Sequence, residues 1–133
     1  MARALGMSHI GLFVEDIERT MDFYSNALGV ECVHKNQVED ENGDTILIWF
    51  GKLNNLTFEF VQLPTFEKRV DGWFDHVSFD VDDIDEMKAQ LESKNIAFET
   101  EEITTWLHFF ERGDRWIMFR GPDGERLEIN QRL

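Results

Sequence analysis

The chain has 133 residues, 42% of them hydrophobic, and carries 13 Lys and Arg against 27 Asp and Glu for a net charge of −14. That is enough apolar material for one compact domain, and the charge excludes the usual partners of basic proteins, because it repels nucleic-acid phosphates and anionic lipid surfaces. A single cysteine, Cys32, rules out an internal disulfide, and no apolar run approaches the ~18 residues of a membrane span.

The opening MARALGMSHI is too short and too soon interrupted for a secretory signal, so the expected location is the cytoplasm. Met7 offers an alternative start that would make residues 1–6 a dispensable arm. The first strand is expected near 7–14. A helix follows near 16–28, with Asp16 as N-cap, Ile17, Met21, Tyr24 and Leu28 on one face and Gly29 as its end. Strands are expected near 30–37, 45–51 and 56–63. Residues 64–73, with Pro64 and Gly72, read as a linker.

The second half repeats this order. A strand that carries His76 to Val81 leads into a helix near 84–94, capped by Asp83 with Glu86 completing a capping box and Ile84, Met87 and Leu91 as its buried stripe. Strands are expected near 96–101, 115–120 and 125–131, the last two joined by the turn Gly121-Pro122-Asp123-Gly124. Residues 102–114 read either as a strand or as a pocket-lining loop. The fold class is thus α+β: two tandem βαβββ modules, about 7–63 and about 74–131, forming one domain with a curved mixed sheet around a cleft.

The repetition reaches individual residues. HIGLFVEDI at 9–17 matches HVSFDVDDI at 76–84, a shift of 67, and LTFEF around Glu59 matches ERLEI around Glu128, a shift of 69. Because side chains alternate along a strand, His9, Glu59, His76 and Glu128 all fall on the face opposite the apolar residues that meet the helices. Glu59 sits inside an otherwise apolar strand. Carboxylates brought together in a cleft repel unless a cation lies between them. Two imidazoles and two carboxylates suit Zn²⁺, Ni²⁺, Co²⁺, Mn²⁺ or Fe²⁺ and leave positions open for water or substrate.

Other residues read as structural. His34 has no repeated counterpart and is expected to be exposed or in ordinary hydrogen bonds, whereas His108 is a secondary candidate for lining a pocket. Trp106, Phe109, Phe110 and Trp116 read mostly as core, with one or two forming an apolar substrate wall, and Cys32 as a half-buried, inert thiol. The acidic runs 39–44 and 80–86 read as solvated surface. An anionic substrate would need a basic patch, for which Arg112, Arg115, Arg120 and Arg126 are the densest supply.

The segments HIGLFVEDIERTMDFYSNALGV, LTFEFVQL, DHVSFDVDDIDEMKAQLESKNI and FRGPDGERLEINQ resemble the vicinal oxygen chelate superfamily, and within it the group of glyoxalase I (lactoylglutathione lyase) and methylmalonyl-CoA epimerase. The resemblance implies a fold of the glyoxalase/bleomycin resistance/dioxygenase type, with His9, Glu59, His76 and Glu128 at the four metal-ligand positions. It implies a lyase, isomerase or epimerase that chelates vicinal oxygens of a small substrate and stabilises an enediolate or enolate, with Glu128 or Glu59 as the base and Glu128 favoured. It also implies a homodimer, with a site inside one chain or shared between two. Alternatives within the superfamily are a metal-free, resistance-type binding protein and a dioxygenase or thiol transferase that uses only His9, His76 and Glu128. No glutathione-binding signature is recognisable in the long stretch before Glu128, which leaves the substrate open.

Overall fold

A computed structural model describes residues 2–68 and 70–133. The chain divides into two compact units, Met1–Glu67 and Lys68–Leu133, within the stretch read as a linker; Arg69 of that stretch lies outside the described residues. Among the described residues no helix is long and apolar enough to cross a membrane.

Unit 1 runs β1 (Ile10–Phe13), α1 (Ile17–Leu28), β2 (Glu31–Glu39), β3 (Thr45–Leu53) and β4 (Leu56–Gln62). Its sheet order is β1-β4-β3-β2, with β1 parallel to β4 and the other neighbours antiparallel. Unit 2 repeats the plan as β5 (Val77–Asp80), α2 (Ile84–Ser93), β6 (Thr104–Trp106), β7 (Asp114–Arg120) and β8 (Arg126–Arg132), in the order β5-β8-β7-β6 with β5 parallel to β8. The tandem βαβββ architecture expected from the sequence is therefore present.

Both helices begin and pack as their sequences dictate. Asp16 and Asp83 accept hydrogen bonds from the backbone N–H of Arg19 and Glu86, supplying two of the acceptors a helix start lacks. Gly29 ends α1 in the left-handed region at φ 73°. The stripe Ile17, Met21, Tyr24 and Leu28 is buried, with the Tyr24 ring 5.1 and 4.9 Å from Phe58 and Phe60 of β4. In unit 2, Ile84 and Leu91 are buried together with Phe79, Ile117, Phe119, Leu127 and Ile129, whereas Met87 is half-buried. Each such aliphatic or aromatic burial stabilises by about 1.5–3 kcal/mol.

One element differs from expectation. Residues 96–101 do not form a strand; they make a single bridge, Phe98 to Phe119. The second strand of unit 2 is instead β6 at Thr104–Trp106, inside the stretch read as strand or loop. Asn95 at φ 64° turns the chain after α2, and 99–102 carries three glutamates, whereas Thr-Thr-Trp suits a pleated edge.

Candidate metal centre

β1 and β5 each start one residue after their histidine, so His9 and His76 stand at the strand entrances rather than within the strands. The parallel pairing of β1 with β4 sets Gly11 beside Glu59, and that of β5 with β8 sets Ser78 beside Glu128. Each histidine is thereby brought next to the glutamate of its own unit. The His9 Nε2–Glu59 Oε2 and His76 Nε2–Glu128 Oε2 distances are both 3.8 Å. The opposite parity is buried in both units: Phe58 and Phe60 around Glu59, Leu127 and Ile129 around Glu128.

A separation of 3.8 Å is too long for a hydrogen bond. It is short enough for one ion to lie about 2.0–2.2 Å from each donor, so each pair fits two ligands of a common cation. Among the described residues no three His, Cys, Asp or Glu side chains are grouped as a cation site; the candidate ligands come as two pairs, one per unit.

The pairs differ in their surroundings. His76 Nδ1 donates to Asp75 Oδ2 at 2.7 Å, since a carboxylate can only accept, and this leaves Nε2 as the ring nitrogen turned toward Glu128. Asp75 also accepts from Arg126 at 2.8 Å, and the His76 hydrogen bond, reinforced by the Arg126 charge, holds its carboxyl below the usual aspartate range. Glu128 Oε1 accepts from the Ser78 hydroxyl at 2.7 Å, and its side chain is 9% exposed. In unit 1 the partner of His9 Nδ1 is the Ser8 hydroxyl at 2.9 Å, which can donate or accept and so leaves the tautomer free. The His9 ring leans edge-on to Phe50 at 6.0 Å, and the Glu59 side chain is 29% exposed.

Beside the second pair lies a cavity of about 620 Å³. One wall is the polar parity of β5 and β8: His76, Ser78 and Asp80, with Glu128, Asn130 and Arg132. Trp116 and Met118 of β7, Trp106, Phe109 and Phe110 supply the apolar remainder. Trp106, Phe109 and Phe110 are 45–57% exposed and are therefore cavity wall rather than core. His108 is exposed and is not among the lining residues, and His34 is exposed as expected. Cys32 is half-buried.

The basic patch expected for an anionic substrate is largely neutralised. Arg115 pairs with Asp85, Arg120 with Asp71 and Glu99, and Arg126 with Glu99 and Asp75. Hydrogen bonding from Arg126 holds the Glu99 carboxyl below its usual range, and Glu99 in turn raises Arg126. None of these arginines lines the cavity.

Sequence reasoning missed the residues that contact the two histidines. Asp75 and Ser8, each immediately before its histidine, were a readable signal in the dipeptides DH and SH. A further repeat was also missed: Gln62 and Gln131 stand three residues after Glu59 and Glu128. Their Oε1 atoms accept the backbone N–H of Ile17 and Ile84, the first residues of α1 and α2, at 2.7 and 3.0 Å.

The sequence profile of the Glyoxalase/Bleomycin resistance protein/Dioxygenase superfamily matches residues 6–129. The chain belongs to that superfamily. Its relatives include the uncharacterized protein YwbC of Bacillus subtilis, 31% identical over 95% of this chain and 97% of its own. YaeR of Escherichia coli, also uncharacterized, is 28% identical over 91% of this chain and 92% of its own. Among solved structures, the fosfomycin resistance protein FosX of Listeria monocytogenes, complexed with Mn(II) and sulfate, superposes with TM-score 0.72 at 19% identity, covering 98% of this chain and 95% of FosX. A glyoxalase family protein of Enterococcus faecalis gives 0.72 at 23% identity, covering 95% and 97%. At these identities the superpositions establish the superfamily fold.

Proposed function

We propose that the protein is a divalent-metal-dependent enzyme of the glyoxalase type, an isomerase, epimerase or lyase acting on a small molecule with two adjacent oxygens, working as a cytoplasmic homodimer. One observation carries this reading: both units independently bring a strand-entrance histidine to 3.8 Å from a last-strand glutamate on the uncovered sheet face. Ordinary packing does not call for the same His–Glu geometry twice, and a cation held by these side chains would offset the cost of setting a carboxylate in each last strand.

In this reading His9, Glu59, His76 and Glu128 hold one Zn²⁺, Ni²⁺, Co²⁺, Mn²⁺ or Fe²⁺, the borderline and hard ions that such donors suit. The bound ion would supply Lewis-acid stabilisation of the negative charge that develops as a carbon acid loses its proton. Glu128 moves that proton. A base must come within hydrogen-bond reach of the substrate, and Glu128 lines the cavity whereas Glu59 does not. Ser78 fixes one carboxylate oxygen of Glu128 and leaves the other turned toward His76.

Elemental analysis of protein purified without chelator tests the reading and is expected to find a bound transition metal. Less than about 0.2 equivalents, with no uptake of added Ni²⁺, Mn²⁺ or Zn²⁺, would remove its basis. At saturating metal, Glu128→Gln is expected to lower turnover by about 10²–10⁴-fold, the usual range for losing a general base, and more than Glu59→Gln does.

The aromatic cavity favours one other reading, a metal-free protein that sequesters a small ligand. Tight ligand binding that persists unchanged in Glu59→Ala and Glu128→Ala would decide for it.

A further inference from the structure

The cavity beside His76 and Glu128 has a polar end that neither the proposed metal centre nor the packing of unit 2 uses. Asp114 and Asn130, on neighbouring strands, both line it, although they are only 2% and 7% exposed. Asn130 Nδ2 donates to Asp114 Oδ2 at 2.6 Å. Among the described residues, Asp114 Oδ1 and Asn130 Oδ1 have no hydrogen-bond partner, and neither has the buried indole Nε1 of Trp116, which stands directly opposite Asn130 in the β7–β8 ladder. Leaving buried polar atoms unmatched is costly. Two acceptors and one donor are thus left unmatched on three residues that line the same cavity, one of them acidic.

The remaining lining residues restrict what could satisfy them. Trp106, Phe109, Phe110, Trp116 and Met118 offer flat and polarisable apolar surface. Phe110 is held at φ 55°, a conformation that bulky residues rarely adopt, and its ring lies 4.2 Å from the Arg132 guanidinium. Among the described residues Arg132 is the one Lys or Arg that lines the cavity, and it is engaged by this ring and by Asp80 at 3.7 Å. Along β8, Glu128 and Asn130 are two residues apart on the same face, about 7 Å at the usual strand rise. That distance matches one six-membered ring with a short substituent. The volume of about 620 Å³ is in the range of small-molecule pockets.

We propose that this face of the second sheet is a substrate pocket for a small molecule whose reacting oxygens lie at His76 and Glu128, whose ring-sized apolar arm lies against the aromatic wall, and whose far end carries a non-anionic hydrogen-bond donor, a hydroxyl or ammonium, received by Asp114 and Asn130. The proposal deepens the metal-centre reading and rests on it for the reacting end only. It excludes substrates whose distal group is a carboxylate, phosphate or phosphonate, because the acceptors at that end would repel it and Arg132, the one Lys or Arg lining the cavity among the described residues, is already engaged.

The test uses para-substituted benzohydroxamic acids, whose two adjacent oxygens suit a metal centre, titrated into the Ni²⁺-loaded full-length protein by calorimetry. The 4-aminomethyl and 4-hydroxymethyl compounds are expected to bind at least about tenfold tighter than the 4-carboxy compound, a difference of about 1.4 kcal/mol. In Asp114→Asn, whose amide can donate, that preference is expected to shrink severalfold. Equal or tighter binding of the 4-carboxy compound by the wild-type protein overturns the proposal, as does a preference that survives intact in a folded Asp114→Asn. A parallel arm titrates metal-free protein with 2-phenylethylamine and with phenylacetate, which need no metal. Preference for the amine there supports the pocket even if no metal binds, so failure of the metal centre and failure of the pocket are distinguishable. If neither compound binds and Trp106 becomes protected as the chain self-associates, the cavity belongs to a second copy and the proposal falls.

Discussion

At the scale of single residues, the two histidines are unequally prepared to ligate. His76 has its Nδ1 proton fixed by Asp75, which Arg126 braces in turn; His9 has only a hydroxyl that can play either role. Partners of this kind set the tautomer and orientation of a ligating imidazole, and losing one typically weakens metal binding by about 10–100-fold. Asp75→Ala is therefore expected to weaken Ni²⁺ or Zn²⁺ binding by about that factor, with Ser8→Ala having a smaller effect. Competition against a chromophoric chelator measures both. Equal, negligible losses in the two variants would show that the Asp75 contact is only a surface ion pair. Arg126 supports both Asp75 and Glu99, so a general stability change has to be separated from the affinity change; thermal unfolding of metal-free Asp75→Ala does this.

At the scale of elements, each unit ties its helix to the strand that carries the glutamate. The N–H of Ile17 is received by Gln62 and that of Ile84 by Gln131, while Asp16 and Asp83 receive the N–H of Arg19 and Glu86 in the same first turn. Val14 N–H to Val61 O and Val81 N–H to Asn130 O, both 2.9 Å, close the same corner in each unit. Gln62→Leu and Gln131→Leu leave a part-buried helix N–H without its acceptor and are each expected to lower stability by about 1–2 kcal/mol. Asp83→Ala should cost about 1 kcal/mol, as loss of a cap does. Denaturant midpoints check these values, and an unchanged midpoint in Gln131→Leu would mean that water replaces the side chain fully. These corners show what the sequence makes legible. The helix caps, the buried stripe of α1 and the 67- and 69-residue shifts are local patterns with local causes, and the structure reproduces them. β6 was harder to place, because whether a short β-rich segment joins a sheet depends on which neighbour's edge it reaches, here Asp114–Trp116 of β7.

At the scale of the whole molecule, duplication explains why the two His–Glu pairs were legible while their surroundings were not. A His and a Glu recurring at matched offsets are visible in one dimension, and strand parity gives their face. The cavity could not be read in the same way: Asp114 pairs with Arg132, and Trp116 with Asn130, only once β7 and β8 are in register, and the Phe110 ring depends on a left-handed backbone that no side-chain pattern signals. Duplication also makes a prediction about stoichiometry. Each unit offers one imidazole and one carboxylate, fewer than the three or four protein donors that ions of this class usually take. If the pairs act together, the protein takes up about one equivalent of Zn²⁺ or Ni²⁺ per chain, and Glu59→Ala and Glu128→Ala each remove nearly all tight binding. If the pairs act independently, uptake approaches two equivalents and each variant loses half. The first outcome is expected, because a lone two-donor pair leaves most of the ion's coordination to water and gains little over the free hydrated ion. Calorimetric titration of metal-stripped wild-type and variant chains distinguishes the two, and half-loss in either variant would separate the repeated His–Glu geometry from the single centre on which the proposed chemistry depends.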